Sequence, residues 1–159
     1  MTKFEIRRAA LCDVKTLVAL RLEMRRDRET ALLTIPETEF ALRLEKYFSQ
    51  AVSEGSFISF IAWNNDIAAG CSGLSVMALP PSYGDLTGKK GYITNMYTRT
   101  EYRGQGLARK LLDELKRYAV EVGCSSLELN ASAAGYPVYK KYGFSDVANE
   151  MKLELDGQA

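Results

Sequence analysis

The chain contains no histidine. This absence excludes Ser-His-Asp and Cys-His nucleophilic chemistry, and it argues against a catalytic zinc site. Cysteine is scarce as well, since the chain has three, Cys12, Cys71 and Cys124, which are far apart and form no Cys-x-x-Cys pair. We therefore expect neither a disulfide framework nor a metal site. With no imidazole to activate it, Cys71 is better interpreted as a small buried hydrophobe than as a nucleophile.

Charge imbalance and long apolar runs are also lacking. The sequence has 21 Lys plus Arg against 20 Asp plus Glu, so nothing in the overall charge favours a nucleic-acid partner. No apolar run is long enough for a membrane span, and Met1 to Glu5 lack the core of a signal peptide. We therefore expect a cytoplasmic protein without membrane or nucleic-acid partners. The length of 159 residues predicts one domain over residues 1–159.

Alternating helical and strand periodicities predict a mixed α/β domain. Strands are predicted at residues 3–7, 57–63, 67–77, 91–98, 126–130 and 150–155. A first helix is predicted to begin at Asp13 as its cap. Thr34 and Glu37 resemble a capping box that opens a second helix, with Pro36 in its first turn. A third helix is predicted from Ala108 to Val122, with a short fourth one at residues 137–142.

A glycine-containing turn, Arg103-Gly104-Gln105-Gly106-Leu107-Ala108, lies between the fourth strand and the third helix. Glycines let the backbone approach a ligand closely, and the first turn of a helix leaves its amide N–H groups without partners. These amides and the positive end of the helix dipole favour phosphate. A tight structural turn alone would also use glycines, since Gly-x-Gly is weak evidence.

Two common phosphate loops fit this turn poorly. The nucleotide-triphosphate loop requires Gly-Lys followed by Ser or Thr, which the chain lacks. The dinucleotide fingerprint requires a third glycine where Arg109 stands. The turn instead matches [Q/R]-x-x-G-x-[G/A], and it resembles the coenzyme A loop of the GNAT superfamily of N-acyltransferases. The segment 127–144, which ends in Tyr139-Lys140-Lys141-Tyr142-Gly143-Phe144, resembles the second diagnostic stretch of that family.

The resemblance implies a mostly antiparallel sheet flanked by helices, with acetyl-CoA as co-substrate and no metal. In the family, the strand before the loop splays from its neighbour and exposes backbone groups to pantetheine, although ordinary sheet pairing remains an alternative here. Asn130 or Ser132 would contact a pantetheine amide. The implied coenzyme-binding residues are Met96, Tyr97, Thr98, Arg103, Gly104, Gln105, Gly106, Leu107, Ala108, Arg109, Asn130 and Ser132.

Tyr139 aligns with the family tyrosine that protonates the departing thiolate. A phenol with a pKa of about 10 can stabilise a thiolate whose conjugate acid has a pKa of about 8.5. The alternative is a buried aromatic residue that anchors a short helix. The general base is open, because Thr94 and Asn95 occupy the strand positions where relatives often carry a carboxylate. Possible substitutes are Glu23, Asp27, Asp85 and Glu101.

The expected activity is acetyl transfer to a primary amine, more in keeping with a small molecule than with a protein terminus. Arg21, Arg25, Arg26 and Arg28 could recognise a carboxylate or phosphate, or they could form a solvated helix end. Two alternatives differ in class: an acyl-CoA-binding module without turnover, and a nucleotide-binding module. A homodimer is possible, but no sequence feature establishes one.

Overall fold

The computed structural model describes residues 3–28 and 35–155. In these residues, four helices flank a sheet of five strands, with two short 3₁₀ turns at Leu11–Asp13 and Thr100–Tyr102. The elements are β1 (Glu5–Arg8), α1 (Val14–Arg28), α2 (Glu37–Glu54), β2 (Phe57–Asn64), β3 (Ile67–Ala78), β4 (Lys89–Thr98), α3 (Leu107–Glu121), β5 (Ser126–Leu129) and α4 (Tyr136–Tyr142). The predicted mixed α/β fold is confirmed.

The strands lie in their sequence order, β1-β2-β3-β4-β5. Neighbours pair antiparallel except β4 and β5, which are parallel. This exception has a simple cause: antiparallel strands can be joined by a short hairpin, whereas parallel strands need a crossover, which α3 provides here. The crossover makes α3 the next helix after β4, with residues 99–106 between them.

Both faces of the sheet are covered, which explains why β2 and β3 are almost continuously apolar and buried. Successive side chains of a strand point to opposite faces. Thus Phe57 and Ile61 pack with α1 and α2, whereas Ile58 and Phe60 pack with α3. α3 buries Leu107, Leu111, Leu112, Leu115 and Ala119, which recur at helical spacing as predicted.

Two local predictions, the last strand and the position of Pro36, are wrong. Residues 150–155 form no strand; Met151 and Leu153 are 96% and 82% exposed, because alternation builds a strand only where a neighbouring edge supplies hydrogen bonds. Pro36 precedes α2 instead of lying in its first turn, since its ψ of 142° is extended. Thr34, the other half of the predicted capping box, lies outside the described residues.

Asp13 does not cap α1 from the preceding position as predicted. It ends the 3₁₀ turn that leads into α1, and its carboxylate accepts the amide of Ala10 at 2.8 Å. Both carboxylate oxygens also accept from the Arg7 guanidinium, each at 2.8 Å. Asp13 therefore fixes the beginning of α1 to β1, and both oxygens of its buried carboxylate accept hydrogen bonds.

Asp13→Asn should lower the free energy of unfolding by about 2 kcal/mol at neutral pH, since it removes a charge-assisted pair from a buried site. The Arg7 pair lowers the pKa of Asp13 below its ordinary 3.8. The carboxylate thus stabilises the fold above that value, and the stabilisation is lost as pH falls through the lower folded pKa. Urea unfolding at several pH values checks this; a difference between wild type and variant that persists in strong acid contradicts it.

Candidate functional site

The partner strand of β4 ends halfway along it. β4 pairs with β5 from Lys90 opposite Ser126 to Ile93 opposite Leu129, where β5 stops. β4 continues to Thr98, so its outer edge from Thr94 to Thr98 has no strand partner among the described residues. Such an edge can take up an extended ligand that carries amides as if the ligand were another strand. The backbone of Met96, Tyr97 and Thr98 lies on this edge.

A β-bulge lies where the free edge begins. Cys71 of β3 pairs with Tyr97 and Gly73 pairs with Thr94, so two residues, Asn95 and Met96, oppose the single Ser72. Asn95 adopts a φ of 57°, a left-handed conformation that asparagine tolerates better than most residues. The bulge changes the direction of β4 beside the point where β5 ends.

The glycine turn follows β4 after the second 3₁₀ turn. Tyr102 anchors that turn, since its ring packs edge-on against Phe4 at 5.8 Å and Asn64 donates to its hydroxyl at 3.4 Å. Gly104 and Gly106 then have φ values of 76° and 73°. A Cβ at either glycine would meet no other atom within 4 Å, so the space beside each glycine is open. The glycines are required by the backbone conformation and not by tight packing.

The helix that follows begins without a cap. Gly106 is the N-cap of α3 and offers no side chain, and the first helical bond runs from the Lys110 amide to the Gly106 carbonyl. Within residues 3–28 and 35–155, no carbonyl accepts a bond from the six amides of residues 104–109. A row of open amides at the positive end of a 15-residue helix suits a phosphate or diphosphate.

The arginine of the turn lies beside the free edge and not over these amides. Arg103 donates to the Thr98 carbonyl at 3.0 Å and to Asp27 at 2.8 Å, and it lies 5.9 Å from the Tyr97 ring centroid. Asp27 also accepts from the Tyr97 hydroxyl at 3.0 Å. Burial, with Asp27 adding to it, raises the pKa of Tyr97 to about 12. This network joins the end of α1 to the turn.

Tyr139 lies on α4, in the core cluster on the α3 face of the sheet. Its side chain is buried in the α3 layer of the core and packs edge-on against Phe144, with ring centroids 5.7 Å apart. Burial raises the pKa of the Tyr139 phenol, so the hydroxyl stays protonated at neutral pH and can act as a donor. A hydrogen bond of 2.8 Å from the Tyr142 hydroxyl to Asp113 holds α4 against α3.

Gly135 and Ser132 shape the beginning of α4. A Cβ at Gly135 would lie 3.0 Å from the Tyr139 ring and 3.2 Å from the Ser132 hydroxyl, so glycine allows this close packing. The Ser132 hydroxyl accepts the Gly135 amide at 3.2 Å. Asn130, which directly follows β5, is exposed. That either residue contacts a pantetheine amide stays a prediction.

The four carboxylates considered as bases are placed very differently. Glu23 is held by Arg99 through two bonds of 2.8 and 2.6 Å, and Asp27 belongs to the Arg103 network. Asp85 accepts from Ser125 at 2.7 Å in the loop that leads to the first residue of β4, at the opposite end of that strand from the glycine turn. Glu101 is exposed on the 3₁₀ turn. The two carboxylates of α1 are therefore both engaged by arginines.

Sequence reasoning noted Asn95 only as a substitute for a carboxylate and missed its environment. Asn95 is 4% exposed, and its Oδ1 is buried with no hydrogen-bond partner among the residues that the structure describes. Its amide nitrogen lies 3.6 Å from the sulfur of Cys71, whose thiol donates to the Asn95 carbonyl at 3.2 Å. A buried acceptor without a donor at a bulge can orient an N–H group of a ligand. An asparagine inside an apolar strand was the available signal.

Cys71 is fully buried, and burial raises the pKa of its thiol to about 12. The thiol therefore stays protonated, in agreement with the prediction of a small buried hydrophobe. In the described residues, no three His, Cys, Asp or Glu side chains come together as metal ligands would. None of the described helices combines the length and apolarity that a membrane crossing requires.

The sequence profile of the acetyltransferase (GNAT) family matches residues 20–144. Because this match covers most of the chain, the protein belongs to that family. The match includes the free half of β4, the glycine turn and Tyr139.

Two acetyltransferases of known activity match less than half of this chain. Thialysine N-epsilon-acetyltransferase from Bos taurus is 32% identical over 69 residues, which are 42% of this chain and 41% of the relative. Glucosamine 6-phosphate N-acetyltransferase from Trypanosoma brucei brucei is 32% identical over 65 residues, 41% of this chain and 44% of the relative. The matched part thus spans less than half of either relative.

Solved structures match nearly the whole chain. A predicted acetyltransferase from Clostridium acetobutylicum, solved with acetyl-CoA, is 34% identical with a TM-score of 0.88, and the match covers 96% of both chains. A GCN5-related N-acetyltransferase from Ralstonia eutropha superimposes with a TM-score of 0.87 at 23% identity, over 98% of this chain and all of that one. The second likeness concerns the fold alone.

Proposed function

We propose that the protein transfers an acetyl group from acetyl-CoA to a primary amine of a small molecule. One arrangement carries this proposal: the unpaired edge of β4 leads through the second 3₁₀ turn to the uncapped amides of α3, and a protonated tyrosine, Tyr139, is buried on the α3 face of the same sheet. An amide-bearing arm that ends in a diphosphate matches the first two features. The thioester at the other end of that arm needs a hydrogen-bond donor for its leaving thiolate, and Tyr139 provides one. The acetyl-CoA in the Clostridium acetobutylicum relative supports the choice of co-substrate.

Each coenzyme contact is assigned to a backbone or side-chain group of this chain. Met96 and Thr98 offer carbonyls on the free edge, where Arg28 and Arg103 donate to them at 3.3 and 3.0 Å. These exposed side chains can move aside for the pantetheine amides. The six amides of residues 104–109 hold the diphosphate. Arg109, exposed in the first turn of α3, adds positive charge.

The bound coenzyme supplies an activated acyl carbon and a thiolate leaving group. The acceptor amine attacks that carbon, a C–N bond replaces the C–S bond, and no enzyme nucleophile takes part. Tyr139 donates a hydrogen bond to the developing thiolate. Because a thiol is more acidic than this phenol, the thiolate can leave with a hydrogen bond alone and does not need to take the proton from Tyr139. The Asn95 Oδ1 accepts an N–H of the amine, which orients the lone pair toward the sheet edge.

Removal of the ammonium proton is assigned to solvent. The carboxylates nearest on α1, Glu23 and Asp27, are already bonded to Arg99 and Arg103. An alkylamine with a pKa of about 10.4 is mostly protonated at neutral pH, which costs about 4–5 kcal/mol to undo. Turnover should therefore rise with pH over the neutral and mildly alkaline range as the free amine becomes more abundant. A pH-independent rate in that range contradicts this assignment.

An acceptor screen tests the proposal directly. The protein is incubated with acetyl-CoA and a panel of primary amines, and acetylated products are detected by mass together with thiol release. Acetylation of at least one small amine supports the proposal. Binding of acetyl-CoA without turnover of any amine favours the alternative of a non-catalytic acyl-CoA-binding module. The observation in favour of that alternative is that Glu23 and Asp27 are already paired with arginines. Stabilisation by adenine dinucleotides in a thermal-shift assay, with none by coenzyme A, favours a nucleotide-binding module instead.

A further inference from the structure

The arginines of α1 divide into two groups by their partners. Arg26 points outward and forms a bidentate ion pair with Glu37 at the beginning of α2. Arg21, Arg25 and Arg28 are spaced by four and three residues, so they share one side of the helix. We call these three residues the arginine face. The four arginines that the sequence grouped together therefore have two separate roles.

The arginine face lies over the bulge of β4. Arg28 donates to the Met96 carbonyl at 3.3 Å, on the strand's free edge. Arg21 lies seven residues earlier on the same side of α1, about two helical turns from Arg28. Leu20, the residue before Arg21, packs in the same core cluster as Cys71, whose thiol bonds to the Asn95 carbonyl at the bulge. The face thus borders the place where the acceptor amine would react.

Arg21 carries a charge that has no ion-pair partner within residues 3–28 and 35–155. Its side chain is half-buried, and none of the carboxylates in the described residues bonds to it. The nearby carboxylates Glu23 and Asp27 are instead occupied by Arg99 and Arg103. Burial, and next the charges of Arg25 and Arg28, lower the pKa of Arg21. A cation in this position gains from an anion that arrives with a ligand.

We propose that the acceptor carries an anionic group, a carboxylate or a phosphate, which binds to the arginine face while its amine lies at the bulge of β4. This inference rests on the proposed function. Guanidinium groups bind both anions through paired hydrogen bonds. The arginine face therefore predicts an anion with paired oxygens but does not distinguish a carboxylate from a phosphate. Arg21 and Arg28 are binding residues here; Arg25 adds to the positive potential.

Matched pairs of amines test the proposal and distinguish the two anions. Lysine is compared with lysinamide for the carboxylate, and glucosamine 6-phosphate with glucosamine for the phosphate. At least one member that carries the anionic group should have a kcat/KM greater than its partner without that group by about 10–100-fold, the effect of one charge-assisted hydrogen-bond pair. Amines without the anionic group that react as well as, or better than, their partners overturn the inference and leave the proposed function intact. Failure of every amine, with acetyl-CoA still bound, removes both.

Variants test the residues. Arg21→Gln and Arg28→Gln should each reduce the ratio of kcat/KM for the amine with the anionic group to kcat/KM for its partner without it by about tenfold, mainly through KM. Arg43→Gln is the matched control, because Arg43 is exposed on α2 and pairs with Glu39 of the same helix; the ratio should not change. Acetyl-CoA affinity and thermal unfolding verify that the variants fold. A ratio that survives both substitutions contradicts the assignment of the arginine face.

A measurement on the unaltered protein covers the case in which Arg21→Gln does not fold. Inorganic phosphate, the probe, should inhibit competitively against the anionic amine at saturating acetyl-CoA. Phosphate that competes only with acetyl-CoA binds at the α3 amides, and that result overturns the inference. Competition against the amine supports it.

Discussion

Gly106→Glu should abolish coenzyme A binding while the protein stays folded. A carboxylate at the N-cap of α3 would place negative charge at the amides that are assigned to the diphosphate. Space is available for the side chain, since no atom lies within 4 Å of a Cβ there. The left-handed φ of 73° adds about 1–2 kcal/mol of strain. Isothermal calorimetry should show no association, with the circular dichroism spectrum unchanged.

Gly123→Glu is the matched control for this variant. Gly123 follows the other end of α3, has a φ of 79° and is equally open to a side chain. The two substitutions therefore add the same charge, bulk and backbone strain, at opposite ends of one helix. Gly123→Glu should bind coenzyme A as the wild type does. Equal losses in both variants would mean that strain, and not the phosphate site, is responsible.

Tyr139→Phe should reduce kcat by more than tenfold and change coenzyme A affinity by no more than a few-fold. The ring would still pack against Phe144, so the core is preserved and only the hydroxyl is lost. Steady-state kinetics with a saturating amine, together with calorimetry, separate the two effects. Turnover equal to that of the wild type would leave Tyr139 as an aromatic anchor of α4.

Tyr136→Phe provides the comparison on the same helix. Tyr136 is exposed, unlike the buried Tyr139, and its hydroxyl bonds to Asp146 at 3.0 Å. Removing it should leave kcat unchanged. A similar loss in Tyr136→Phe and Tyr139→Phe would indicate a general disturbance of α4 and not a donor role for Tyr139.

Local rules were sufficient for most of the fold and for the glycine turn. The third helix could be predicted because Leu111, Leu112 and Leu115 recur at helical spacing, and both of its ends are marked by glycine. The prediction of a last strand at residues 150–155 also rested on periodicity, and it is wrong. Met151 and Leu153 alternate with polar residues, but alternation does not supply the neighbouring strand that a ladder needs.

The side-chain partners in the site could not be predicted. Asp27 accepts from Tyr97 and Arg103, which lie 70 and 76 residues further along the chain. Such pairs depend on how α1 lies across β4, and no local pattern encodes that placement. The role of Arg26 is similar, because only the position of α2 shows that Glu37 binds it. Motifs predicted which strand edge and turn would bind the coenzyme, whereas the side-chain partners on the acceptor side could be found only in the packed structure.

The burial of Cys71 has a practical consequence for measuring turnover. Coenzyme A release is commonly followed with aromatic disulfide reagents, which report every accessible thiolate. Cys71 will not contribute in the native state, but the exposed Cys12 will react, and Cys124 is only partly covered. A Cys12→Ser protein should therefore give a lower colour baseline, and any slow increase that remains should report local opening around Cys124.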